Sequence, residues 1–360
     1  MQVNSDCIYF NGYKPCKPHK EQGVHCEACG FYQQAGQNIL IIKFQAAGEV
    51  IRNTPLLERL ENEYKNPKIF WVTNYPDLIP KSRVFKILKF NNESALLLRD
   101  IEFDLVLSLD KDLEACALAN SIRAKKKKGF TQKDGVILPF DEDARRKWET
   151  GIFDDLMKKN KKHYMEEIFE MCGYDFKGEE YILPEYVVPK LNLDSDGPII
   201  ALNTGAGNQW VTRIYSEAQW ISVARILLEK GYSVIIVGGP AEDNKNKKIA
   251  KESGAVYPGL FKYSDFIGLL SLADVVVTCV TFAFHAAVGL HKKVVLLNNI
   301  FNKNEFYTYG RGTILEPNLP CLMCYKTKFD EKCPTTNCMD LITPKMIMNS
   351  VEELLSKRKK

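Results

Sequence analysis

The chain has 360 residues, 45% of them hydrophobic and 26% charged, which supplies a sizeable core and excludes both disorder and a collagen-like repeat. Lys and Arg number 49 against 45 Asp and Glu, and a net charge of +4 is too small to mark the whole surface for nucleic acid. No apolar run approaches the ~20 residues of a membrane-spanning helix, and the start from Met1 to Cys7 lacks the basic-then-apolar order of a secretory signal, so a cytoplasmic protein is expected.

Residues 1–35 read as a small separate module with Cys7, Cys16, Cys26 and Cys29 but little apolar periodicity. A first doubly wound unit is expected over 36–190. It has strands at 39–43, 69–73 and 104–109, a short segment near 85–88, and helices through Leu56, Leu57 and Leu60 and near 111–122. Residues 140–185 read as mostly helical, and Pro184, Pro189 and a turn at 194–197 as the connection onward. A second unit follows over 191–341, with strands at 198–202, 233–237, 274–277 and 293–297 and a helix opened by Ser216 and Gln219 as a capping box. Over 342–360, Thr343-Pro344 starts a last helix with Ile347, Val351, Leu354 and Leu355 on one face, before a basic tail.

The chemistry gathers where strands end. After Ile39-Leu-Ile-Ile42, the small residues Ala46, Ala47 and Gly48 allow a tight turn that sets Glu49 at a helix start on the carboxyl edge of the sheet. There Glu49 serves either as a base or merely as a complement to the positive helix end. In the second unit Thr204 and Gly205 open a small-residue loop toward Arg213, a combination of exposed N–H groups and a cation that suits a diphosphate. Gly238 and Gly239 permit close approach of a nucleoside, with Glu242 placed to accept from ribose hydroxyls or to start a helix. Thr281 and His285 close a third loop, the threonine for phosphate and the histidine as a proton or hydrogen-bond donor.

Four segments in this order, Ile41-Ile-Lys-Phe-Gln-Ala-Ala-Gly-Glu-Val-Ile-Arg-Asn-Thr-Pro-Leu56, the Gly205 to Arg213 loop with Trp220, Gly238-Gly-Pro-Ala-Glu242 and Thr281 to His285 with Ala286-Ala287, resemble glycosyltransferase family 9, the ADP-heptose:lipopolysaccharide heptosyltransferases. The resemblance spans roughly residues 38–356. It implies an α/β chain of the GT-B fold, two Rossmann-like domains facing across a cleft, with the last helix often crossing back to the first domain. It also implies inversion at the sugar carbon with a nucleotide-diphosphate donor, ADP-heptose being the leading candidate, and a bacterial lipopolysaccharide or other surface glycan as acceptor. Glu49 stands where the family usually has aspartate, and Arg213 where it has lysine. Val280-Thr-Phe-Ala-Phe-His285 keeps the hydroxyl and the histidine of the family's Asp-Ser/Thr-Gly-Pro-Met-His pattern but not its acid or glycine, which marks a divergent branch.

In the mechanism this implies, Glu49 takes the acceptor proton, and Arg213, Thr281, His285 and loop N–H groups stabilise the departing diphosphate without a catalytic metal. The cysteines fall outside that scheme. Cys321-x2-Cys324-x8-Cys333-x4-Cys338 and Cys7-x8-Cys16-x9-Cys26-x2-Cys29 each contain a close pair able to offer two thiolates to one ion, and His19 and His25 are spare donors. Four thiolates favour structural zinc, with iron or an iron–sulfur cluster as the alternative. Cys116, Cys172 and Cys279 read as core residues. The runs Arg123-Ala-Lys-Lys-Lys-Lys128 and Lys158-Lys-Asn-Lys-Lys162 suit a solvated loop or helix face, or else an anionic inner membrane leaflet bearing a lipid-linked acceptor. Two rival functions are a metal-dependent sensing protein without transfer activity and a sugar-nucleotide epimerase.

Overall fold

The structure is a computed structural model that describes residues 2–191, 197–207 and 210–357. The turn expected at 194–197, apart from Gly197, lies outside the described residues, as do positions 208–209 of the arginine loop and 358–360 of the basic tail. The chain forms two compact units, one of Met1–Ala46, Asn53–Trp148 and Ile168–Glu179, the other of Ala47–Arg52, Glu149–Glu167 and Glu180–Lys360.

In the first unit six strands, β1 (Asn38–Ile42), β2 (Lys68–Thr73), β3 (Lys86–Lys89), β4 (Glu102–Ser108), β5 (Arg123–Lys133) and β6 (Val136–Pro139), make one sheet in the order β3-β2-β1-β4-β5-β6. All pairings are parallel except the last, where β6 folds back on β5. That hairpin turns on Asp134 and Gly135, both with positive φ, the geometry for which an Asp-Gly pair is suited. Leu40, Ile42, Val72, Phe103 and Val106 pack in its core, consistent with strands buried on both faces.

The basic run corrects an expectation, since residues 123–128 lie in β5 rather than on a loop or helix face. Pairing to β4 accounts for the strand, and the lysines find local partners. Lys125 meets Asp104 at 2.7 Å, Lys127 donates to the Ala119 and Asn120 carbonyls at the end of the helix Leu113–Ser121, and Lys128 sits between Asp141 and Asp143. Residues 140–185 are also less helical than expected. They hold the short helices Glu142–Thr150, Asp154–Lys159 and Tyr164–Met171, and beyond the left-handed Gly173 residues 174–191 form no regular element.

At the start of the chain, a helix Lys17–Gln22 and a turn Cys26–Ala28 lie between Cys7 and Gln34, which form a bridge. Only Cys7 and Pro18 are buried among residues 2–35.

The second unit contains β7 (Ile199–Asn203), β8 (Ser233–Val237), β9 (Val275–Cys279), β10 (Lys293–Leu297) and β11 (Gly312–Leu315), all parallel, in the order β11-β10-β9-β7-β8. Ser216 caps the helix Glu217–Glu229, which buries Trp220, Val223 and Leu227 against the sheet. Thr343 caps the last helix, Pro344–Ser356, with proline in its first turn as its sequence predicts. Its Ile347, Val351 and Leu354 join Trp220 and Met339 in the core of this second unit. None of the helices among the described residues is long and apolar enough to cross a membrane.

In each sheet the order reverses at one place, between β1 and β4 in the first and between β7 and β9 in the second. The loops leaving the carboxyl ends of strands at such a switch point are where open α/β sheets bind ligands.

Candidate active site

The turn after β1 is fixed by Asp110, which stands just past β4. Its carboxylate accepts from the Phe44 N–H at 2.7 Å, the Gln45 N–H at 3.0 Å and Lys43 Nζ at 3.1 Å. Sequence reasoning passed over Asp110, although an acid at the end of the strand beside β1 at the switch point was the available signal.

Glu49 then occupies the one-turn helix Ala47–Ile51, which belongs to the second unit and packs against the helix Phe282–Gly289. The approach depends on Gly48, because a Cβ built there would lie 2.6 Å from His285 Cδ2. Glu49 forms an ion pair with Arg52, whose guanidinium lies 3.2 Å from the centroid of the Tyr164 ring. Burial opposes the charge of Arg52, yet Glu49, with Tyr164 and Tyr181 nearby, holds its guanidinium above the ordinary value. Neither Arg52 nor the tyrosines were expected in the site.

His285 lies within the helix Phe282–Gly289 rather than in the loop before it, since Thr281 caps that helix by accepting from the Ala283 N–H at 3.2 Å. The imidazole is 6% exposed, and burial first, then the Arg52 cation, pushes its pKa down to about 3, with Glu49 opposing. The ring is therefore neutral across the physiological range.

The unfolded chain takes up this proton near pH 6.5 and the folded one only near 3, so the unfolded state holds more protons in that window and stability rises with pH. Above pH 6.5 the contribution is complete, and it is lost as the pH falls toward 3. Unfolding free energies from urea titrations at pH 7 to pH 4 should fall by up to ~1.4 kcal/mol per pH unit from this group, and less steeply in His285→Gln. Equal slopes would show that the folded ring takes its proton like any exposed histidine.

The other loop residues meet at the switch point of the second sheet. Asn203, at the end of β7, donates from Nδ2 to Thr278 Oγ1 at 3.0 Å, to Thr281 Oγ1 at 3.2 Å and to the Gly205 carbonyl at 3.3 Å, joining the loops after β7 and β9. Thr204 is buried, with its hydroxyl on Asn246 Oδ1 and its carbonyl accepting from Lys245 Nζ at 2.9 Å. Glu242 is also buried and accepts from the Gly239 N–H at 3.0 Å, while its carboxyl group borders Gly205. Gly238 has an internal reason for lacking a side chain, since a Cβ there would lie 2.7 Å from Asn246 Nδ2.

Arg213 rides on the turn Val211–Arg213 and donates to the Val280 carbonyl at 2.8 Å. Its Nε is buried without a partner, and burial lowers its pKa. The structure thus gathers Thr204, Gly205, Gly239 and Glu242 around one pair of loops and fastens Arg213 to the loop that carries Thr281. It separately packs the helix that carries Glu49 against the helix that carries His285 in the same unit.

The turn that carries Arg213 is tied to the C-terminal cysteines. A cavity is lined by Cys321, Cys324, Cys333 and Cys338 together with Thr212 and Asn299. Asn299 Nδ2 donates to the Thr212 carbonyl at 2.7 Å and to Cys338 Sγ at 3.0 Å, and the Val211 N–H donates to the Thr327 carbonyl at 3.1 Å. All eleven cysteines are free. Among the described residues no group of three or more His, Cys, Asp or Glu side chains is placed so that it could hold a metal ion, which applies to Cys7, Cys16, Cys26 and Cys29 as well. Cys116, Cys172 and Cys279 are buried, and burial raises their thiol pKa values, as core positions require.

Two α/β sheets, parallel except at the β5–β6 hairpin and each with a switch point, define a doubly wound protein of the class that binds ligands at the carboxyl edges of its strands. Residues 95–333, more than half of the chain, match the model of glycosyltransferase family 9 (heptosyltransferase), and the chain belongs to that family. It is 27% identical over 165 residues to lipopolysaccharide heptosyltransferase 1 of Pseudomonas aeruginosa, a match covering 41% of this chain and 46% of that protein, so it spans about half the length of this relative. Among solved structures, E. coli heptosyltransferase WaaC with ADP aligns at a TM-score of 0.64 and 14% identity, over 88% of this chain and 99% of that one. The iron-containing dodecameric glycosyltransferase TibC of enterotoxigenic E. coli aligns at 0.55 and 13% identity, over 90% and 79%.

Proposed function

We propose that this chain is an inverting glycosyltransferase that moves a heptose-like sugar from an ADP-linked donor to a bacterial lipopolysaccharide or other surface glycan. The observation that carries the reading is the packing of Glu49 against the His285 helix, in the same unit as Arg213 and the loops after β7 and β9. Glu49 is the base. Arg52 pairs with its carboxylate, and the acceptor hydroxyl loses its proton to that carboxylate as the acceptor oxygen bonds to the anomeric carbon. The bond from that carbon to the diphosphate breaks, and the electron pair leaves with the nucleotide. Arg213, with an unpartnered Nε, and the neutral His285 receive the charge that develops on the diphosphate, while Glu242 faces the ribose.

The heptosyltransferase WaaC solved with ADP supports an adenine nucleotide as the leaving group. Incubation of the purified protein with ADP-heptose and a lipopolysaccharide core acceptor should release ADP in step with acceptor glycosylation. Donor converted to an isomer without acceptor would instead establish an epimerase, and no turnover with any of the ADP-, GDP-, UDP- or CDP-sugars would remove the enzymatic reading.

The C-terminal cysteines suit a structural metal by donor type and border one cavity, although an ion would have to draw the four thiols closer than they stand here. Cys321, Cys324, Cys333 and Cys338 would hold zinc or iron there, a reading to which the iron-containing TibC lends support. The N-terminal set of Cys7, Cys16, Cys26 and Cys29 is proposed as a second such site. Metal analysis should then give about two equivalents per chain. Cys321→Ser should lose one and lower the unfolding temperature, and Cys7→Ser should lose the other. Metal-free, fully folded protein would reduce all eight to ordinary thiols.

A further inference from the structure

His285 is useful to an anionic leaving group only if the ring nitrogen facing the site carries the proton, because a neutral imidazole has one donor and one acceptor. Two contacts define how the ring is held. On one side Gly48 lies against the ring at Cδ2, the carbon bonded to Nε2, and leaves no room there for a side chain. On the other, Tyr181 lies nearly parallel to the ring, at 16° and 6.2 Å between centroids, with its hydroxyl 3.4 Å from Nδ1.

Tyr181 is 6% exposed, and no other hydrogen-bond partner for its hydroxyl exists among the described residues. A buried phenol has to place its proton somewhere, and Nδ1 is the available acceptor. The ring of Tyr309 stands edge-on to Tyr181, 6.1 Å away, and helps to fix it.

We infer that Tyr181 is a positioning residue that sets the tautomer of His285, donating its phenolic proton toward Nδ1 so that the imidazole proton resides on Nε2, the nitrogen that remains to donate to a diphosphate in the proposed transfer. The hydroxyl keeps that proton, because burial raises the phenol above its ordinary pKa. The Arg52 cation completes the arrangement by disfavouring a second proton on the ring. This inference rests on the proposed role of His285 in transfer, but the tautomer itself can be observed without turnover.

The test uses the full-length protein with 15N-labelled histidine. The His285 signals are identified by their loss in His285→Gln, and two-bond correlations then report which nitrogen is protonated. The expected result is a protonated Nε2 and a bare Nδ1 in the wild type, shifted toward a mixture in Tyr181→Phe, which keeps the ring and removes only the hydroxyl. With this shift, kcat should fall about tenfold, the loss of one hydrogen bond's worth of orientation, while the donor KM stays within about twofold. His285→Gln, whose amide nitrogen reaches the Nε2 position, should retain more activity than His285→Asn, whose amide reaches only that of Nδ1.

A protonated Nδ1 in the wild type, or a tautomer and kcat unchanged in Tyr181→Phe, would overturn the assignment and leave the transferase reading standing. A wild type that transfers no sugar would overturn the transferase reading, and the tautomer shift in Tyr181→Phe would still establish what Tyr181 does to the ring.

Discussion

Glu49→Gln should lower sugar transfer by ~10²-fold or more while leaving donor affinity near that of the wild type, because the amide keeps the shape of the side chain and loses its capacity to take a proton. The ion pair with Arg52 makes the comparison sharper. In the variant Arg52 loses its charged partner but keeps its place over Tyr164, so a change in folding and a change in chemistry can be separated by measuring the unfolding temperature alongside turnover. Turnover equal to the wild type would take Glu49 out of the mechanism, and a drop that appears only as a raised donor KM would make it a binding residue.

Gly48→Ala should be damaging although the change adds only a methyl group. In a helix, alanine in place of glycine ordinarily gains about 0.5–1 kcal/mol of backbone entropy. Here the added methyl would stand 2.6 Å from His285 Cδ2, and the histidine is buried and has no open space into which to retreat. Overpacking of this kind costs about 1–3 kcal/mol, which outweighs the helical gain. The variant should therefore unfold at lower denaturant concentration and also lose transfer, because the imidazole and the Glu49 turn are forced apart. Stability and turnover both at wild-type levels would mean that the turn Ala47–Ile51 yields without consequence.

The aliphatic runs made the strands legible, and the alternation of strand and helix gave two doubly wound units before any coordinates. The cap residues Ser216 and Thr343 announced their helices for the same local reason. The hairpin at Asp134 and Gly135 was equally readable from its turn residues, but the lysines of β5 drew attention to their charge and away from the strand they form. Other features had no local signal. Arg52 is the exception, since its i,i+3 spacing from Glu49 was a local signal for the ion pair, whereas Tyr181 meets His285 from a stretch without regular structure. The reason for Gly48 lies in a helix far along the chain, and a single sequence shows the glycine without the ring it accommodates. Likewise Asn203 looks like the last residue of a strand until its three hydrogen bonds join the neighbouring loops.

The fastening of the cysteine loop to the turn Val211–Arg213 makes two apparently separate properties interdependent. If ordering of either segment lowers the entropy cost of ordering the other, an ion in the thiol cavity and a nucleotide sugar at Arg213, in the roles proposed for them, would favour each other's binding by the same factor, as reciprocity between coupled sites requires. On those roles, donor affinity measured with and without added zinc or iron would differ, and a cell short of metal would saturate this protein with sugar donor less readily at the same donor concentration.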